Sequence, residues 1–180
     1  MTRSLTYFPA GRVSDYAVDT PATPTDPAQD DSEPFACKLI TLPAPEPSPG
    51  SLVPLPAKKL AVFFRPDMGK FWAVNNICPH QGGSFAKGSL IDIEDFGIKW
   101  GVAVVCPLHS WSFHADNGEC DRSRFVLDTH DVRVLSADGT TVEQKAGVIF
   151  SPDMSVEVSI EPKNKDVPGP RRDFGGVPLE

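Results

Sequence analysis

Two short stretches concentrate metal-binding side chains. "CPHQGG" covers residues 78–83 and "CPLHSW" residues 106–111, with 25 residues between His80 and Cys106. Together they use half of the four cysteines and half of the four histidines in the chain. Thiolate and imidazole are the ligands of zinc sites and of some iron–sulfur clusters. Structural zinc sites usually group Cys with Cys and His with His. Here each stretch is mixed, first C-x-H and then C-x-x-H. A [2Fe–2S] cluster with two cysteines on one iron and two histidines on the other needs each loop to reach both irons, and a mixed pair per loop does so. The order of ligand types therefore favours a cluster on Cys78, His80, Cys106 and His109, with zinc on the same four residues as the alternative.

Such loops need a rigid frame. Each stretch follows a strand-like run, "FWAVN" (71–75) before the first and "VAVV" (102–105) before the second. Further strand candidates are 37–42, 60–64, 111–113, 131–135, 140–144 and 155–160, the last with Val156, Val158 and Ile160 on one face. No long window keeps a helical period free of Gly and Pro. Short strands between turn signals predict an all-β antiparallel sandwich or barrel. Pro79 and Pro107 stiffen the ligand loops, and Gly82, Gly83 and Gly88 allow close backbone approach.

At 180 residues the chain has the length of one domain. Residues 1–35 are poor in large apolar side chains and carry Pro21, Pro24, Pro27 and Pro34, which predicts a disordered segment. The domain is expected over 36–162, with "PAPEPSPG" (43–50) as an extended loop and 163–180 as an irregular tail. A net charge of −7 without a basic stripe argues against nucleic-acid binding. No apolar run approaches the roughly 18 residues of a membrane span. The N-terminus lacks the apolar core of a secretory signal. Arg3 and Arg12 suit a mitochondrial presequence, but Asp15 and Asp19 count against it. A reducing compartment follows, the cytoplasm, with the mitochondrial matrix as the alternative.

The stretch "CPHQGG…CPLHSWSF…NG" resembles the Rieske family. The resemblance implies that Cys78 and Cys106 bind an inner iron as thiolates and that His80 and His109 bind an outer iron through imidazole. It implies one [2Fe–2S] cluster per chain, on an antiparallel β fold with a cluster-binding part over roughly 76–120. Respiratory-chain members brace the cluster with a disulfide, and the corresponding positions here are Gly83 and Leu108. Those members also carry Ser and Tyr hydroxyls that hydrogen-bond to sulfur, where this sequence has Trp111 and Phe113. Losing those donors destabilises the reduced cluster and predicts a midpoint at the low end of the range, on the order of −150 mV.

The sequence thus resembles a soluble Rieske-type ferredoxin, with two departures. The insert "GSLIDIEDFGIKWGVAVV" is longer than in the shortest ferredoxins, and its "IEDF" resembles an insert of eukaryotic single-domain members. The proline-containing loop that many Rieske domains place over the cluster is replaced by Cys120, Asp121, Arg122 and Ser123, with no proline before Pro152.

Once four ligands are assigned, only His114 and His130 remain, and the 50 residues after His130, mostly strand-like or irregular, are too little for a catalytic domain with a mononuclear iron on two His and one carboxylate. No G-x-G-x-x-G motif marks a flavin or nicotinamide site. The reading is a one-electron carrier that needs a reductase and an acceptor, rather than an enzyme by itself. A cluster-based sensor and a zinc-bound interaction domain are the alternatives. Asp92, Glu94 and Asp95 offer either a negative patch for a basic partner or a solvated loop. Cys37 and Cys120 read as free small apolar residues.

Overall fold

The computed structural model describes residues 5–17, 35–44, 57–93 and 101–172. Ten strands and two short 3-10 helices form it, and every ladder is antiparallel. In chain order the strands are β1 (Tyr7–Arg12), β2 (Ala36–Thr41), β3 (Lys59–Arg65), β4 (Lys70–Asn75), β5 (Ser89–Ile93), β6 (Gly101–Val105), β7 (Ser112–His114), β8 (Thr129–Leu135), β9 (Thr141–Val142) and β10 (Ser155–Pro162). The larger sheet runs β1-β10-β8-β4-β3-β2, with β9 beside β8, and the smaller runs β5-β6-β7. This is the predicted all-β architecture, with a small sheet appended to a large one.

The β3–β4 hairpin is the wall between two cores. Leu60, Val62, Phe64, Phe71 and Ala73 face a cluster completed by Tyr16, Val134, Phe150, Val156 and Val158. The intervening Ala61, Phe63, Trp72 and Val74 face a second cluster with Phe85, Leu90, Val104, Phe113 and Leu127. Strand side chains alternate between faces. Burial of both faces therefore explains why "LAVFF" and "FWAV" are unbroken apolar runs. The second core also contains Cys78 and Cys106, which places the metal-binding loops against this wall.

Two elements escape the sequence reading. Residues 5–17 do not form the expected disordered segment: β1 closes one edge of the large sheet against β10. Tyr16 anchors it, 1 % exposed, with its hydroxyl donating to the Ala10 carbonyl and its ring edge-on to Phe71. A few well-placed apolar side chains (Ala10, Val13, Tyr16) suffice, although the average over 35 residues is polar. The other is β5, inside the insert, which pairs with β6 from Ser89↔Val105 to Ile93↔Gly101. In β10 the register shifts between Val158 and Pro162, so Ile160 is only half-buried while Val156 and Val158 are in the core. The remainder of the 1–35 segment, most of "PAPEPSPG", residues 94–100 and the tail beyond 172 lie outside the described residues.

Candidate metal centre

The first ligand loop leaves β4 and is pinned by Asn76. This side chain is 2 % exposed, and its Oδ1 accepts from the Ala86 N–H and the Ser84 hydroxyl. Its backbone carbonyl takes the Phe85 N–H, and an Ile77↔Ser84 bridge closes the neck of the loop. The second loop is the turn between β6 and β7, closed by the Val105↔Ser112 pair. Sequence reading missed Asn76, whose role depends on partners eight and ten residues away in the chain.

The two loops share one backbone design. In the first, the Cys78 N–H donates to the Gly83 carbonyl and the Gly82 N–H to the Cys78 carbonyl, both at 2.8 Å. In the second, the Cys106 N–H donates to the Trp111 carbonyl at 2.9 Å and the Ser110 N–H to the Cys106 carbonyl at 3.0 Å. Each loop turns through a left-handed residue at the same step, Gly82 with φ 76° and Ser110 with φ 53°. Ser110 is the lone non-glycine with positive φ among the described residues. The histidines break the equivalence, since His80 is the second residue after its cysteine and His109 the third.

The loops bring like donors together. Cys78 and Cys106, each 1 % exposed, share a hydrogen bond between their thiols. Cys78 also receives the N–H groups of His80 and Gln81, and Cys106 those of Leu108 and His109. Backbone donors around sulfur stabilise the thiolate that metals require. The hydrogen bond from Cys78, helped by these N–H groups, draws the Cys106 thiol below its ordinary range. The His80 and His109 rings stand edge to face with centroids 5.0 Å apart, the first half-buried and the second exposed. Burial of His80, together with the charges of His109 and Arg172, lowers its pKa. That favours the neutral imidazole, the form that ligates metals.

One buried atom points to a missing partner. His80 Nδ1 is shut off from solvent and has no hydrogen-bond partner among the described residues. A buried polar atom without a partner is costly unless something else satisfies it, and a metal would. Among the described residues no three of His, Cys, Asp and Glu converge on one point. The thiols pair with each other deep in the loops, and the imidazoles pair near the surface. Two pairs at two depths suit two bridged irons with unlike ligands.

Residues 46–133 match the family model of the Rieske [2Fe-2S] domain. The chain carries a Rieske [2Fe–2S] domain over those residues. Over 57 residues it is also 32 % identical to "Cholesterol 7-desaturase nvd" of Hemicentrotus pulcherrimus, a match covering 32 % of this chain and 10 % of that relative. The chain thus spans about a tenth of the length of the curated relative it matches.

Within this Rieske domain the positions flanking the ligands acquire physical roles. A Cβ at Gly83 would lie 2.9 Å from Cys106 Sγ and 3.0 Å from Leu108 Cγ, so Leu108 fills the space beside a residue that has none. None of the four cysteines forms a disulfide, and burial pushes the Cys37 thiol up to about 12. Trp111, on the second loop, crosses to the first and stacks on His80. Phe113 is fully buried, edge-on to Phe85.

The remaining histidines are engaged in the fold. The Asp116 N–H donates to His114 Nδ1, and His130 Nδ1 bonds the Ser159 carbonyl at 2.8 Å. Asp92 is committed to an ion pair with Arg65, which ties β5 to β3, while Glu94 and Asp95 lie outside the described residues.

Proposed function

We propose that this Rieske protein is a one-electron carrier of low potential, working between a reductase and an oxygenase-like acceptor. Cys78 and Cys106 hold the inner iron, and His80 and His109 the outer one. The observation that carries this reading is the partnerless, buried Nδ1 of His80 beside the His109 ring, above a pair of hydrogen-bonded thiols.

When bound, the cluster takes up and releases one electron at a time. The residues of the chain decide where and at what potential. Cys78 and Cys106, buried in the second core, exclude water from the thiolate side. The N–H groups of His80, Gln81, Leu108 and His109 disperse negative charge on their sulfurs. His109, exposed together with Pro107, Leu108 and Ser110, gives a partner access to the imidazole side. The curated relative is by name a desaturase, which supports an acceptor of the oxidoreductase class.

Anaerobic purification of the full chain tests the reading. A coloured protein with iron and labile sulfide in equal amounts, and an EPR signal that appears on reduction, is expected. A colourless protein with stoichiometric zinc would end it. Ligation is read from His80→Cys and His109→Cys, each of which should shift the spectrum and lower the midpoint.

A further inference from the structure

The chain beyond β10 forms a strap that returns to the first ligand loop. Asn164, 6 % exposed, starts it. Its Nδ2 donates to the carbonyls of Asn117 and Leu127, and its Oδ1 accepts from the Thr129 N–H. Arg171 continues it, bonding the Asp128 carboxylate at 2.7 Å and the carbonyls of Asn164 and Val167. The Val126 N–H donates to the Pro170 carbonyl, which lays Pro168, Gly169 and Pro170 along 124–126. This proline-bearing segment from the far end of the domain thus lies against the stretch that follows the second loop.

The strap delivers Arg172 to the ligand loop. Its Nη1 donates to the His80 carbonyl at 3.1 Å, across 92 residues of sequence. Its guanidinium lies 4.9 Å from the centre of the Phe125 ring, and Phe125 in turn neighbours both His80 and Trp111. Arginine stays charged at every working pH and stacks well on aromatic faces. Arg172 is itself exposed, and these two contacts keep its charge beside the His80 loop.

We infer that Arg172 is a positioning residue for the cluster: it holds the His80 loop by its carbonyl and places a permanent positive charge beside the imidazole end, which favours the reduced state. Reduction adds one electron, and therefore one negative charge, to the centre. A nearby fixed cation stabilises the more negative form by Coulomb attraction. The inference rests on the proposal that His80 holds an iron.

The test uses the full, cluster-loaded chain with R172Q and R172K. EPR and visible circular dichroism report ligation, and film voltammetry reports the midpoint. R172Q is expected to keep the wild-type spectrum and move the midpoint to more negative values, changing the ratio of reduced to oxidised cluster at a fixed potential by about fivefold. R172K, which keeps the charge, should recover most of the shift. A wild-type midpoint in R172Q overturns the inference, even if cluster loss or partner turnover changes, because those would mark Arg172 as structural or as a docking contact. If R172Q retains too little cluster to measure, R172K decides: with its spectrum intact, a midpoint as low as that of a R172E variant overturns the inference, and one near wild type supports it. A wild-type protein without the reduced-state EPR signal sinks the cluster reading instead, so the two failures are distinct.

Discussion

Trp111 lies flat on His80, their ring centroids 3.6 Å apart and their planes 6° from parallel. The contact joins the two Cys/His loops. It covers one face of an imidazole whose Nδ1 is already buried. Trp111 therefore shields His80, while His109 stays exposed.

Removing that ring should loosen the imidazole side. A stacked aromatic pair is worth about 1 kcal/mol beyond its buried area. Trp111→Ala is expected to speed cluster loss to a chelator by about fivefold, and Trp111→Phe by less. Bleaching of the visible absorbance measures both.

The midpoint should lie near the low end of the Rieske range, on the order of −150 mV, and a value above about 0 mV by film voltammetry would be inconsistent with missing hydroxyl donors. Phe113→Tyr tests the cause. It adds a hydroxyl at a position resembling that of the Tyr donor in respiratory members. A new hydrogen bond that favours the reduced state by about 1.4 kcal/mol raises the midpoint by about 60 mV.

Gly83 tolerates no side chain. A Cβ there meets Cys106 Sγ at 2.9 Å, and although the half-exposed Leu108 can move aside, a sulfur buried in the second core cannot. Gly83→Ala is expected to fold but to load less iron. In the other loop Ser110→Gly relieves a positive φ and should leave loading unchanged. Iron-to-protein ratios after identical reconstitution compare them.

His130 sets an acid limit. Burial pushes it down to about 4 from an ordinary 6.5, against the hydrogen bond to Ser159 that raises it. The unfolded chain binds a proton between those values and the folded chain does not. Stability is therefore complete above pH 6.5 and falls as pH drops toward 4, by about 3 kcal/mol at most. Urea midpoints measured across that range should decline in the wild type and less steeply in His130→Gln.

Much of this was legible in the sequence because alternation and turn residues mark strands directly. The runs at 60–64, 71–75 and 102–105 are strands, and the Cys/His stretches emerge from two of them. β5 was not legible, since "SLIDI" buries only Leu90 and owes its pairing to β6. β1 was hidden by dilution within a polar segment. Asn76, Asn164 and Arg172 carry no apolar period, and their partners, mostly backbone groups, are ones that only the finished fold brings near. The stacking of Trp111 on His80 crosses between loops and is likewise a property of the tertiary structure.

The double-sided hairpin of β3 and β4 has a thermodynamic consequence. Each core supplies one face of the same two strands, so neither can melt while the other stays intact. Iron bound at one end then stabilises the sheet at the other through shared strands rather than through any direct contact. The holoprotein is expected to behave as one cooperative unit, in which loss of colour and loss of β structure follow a single curve.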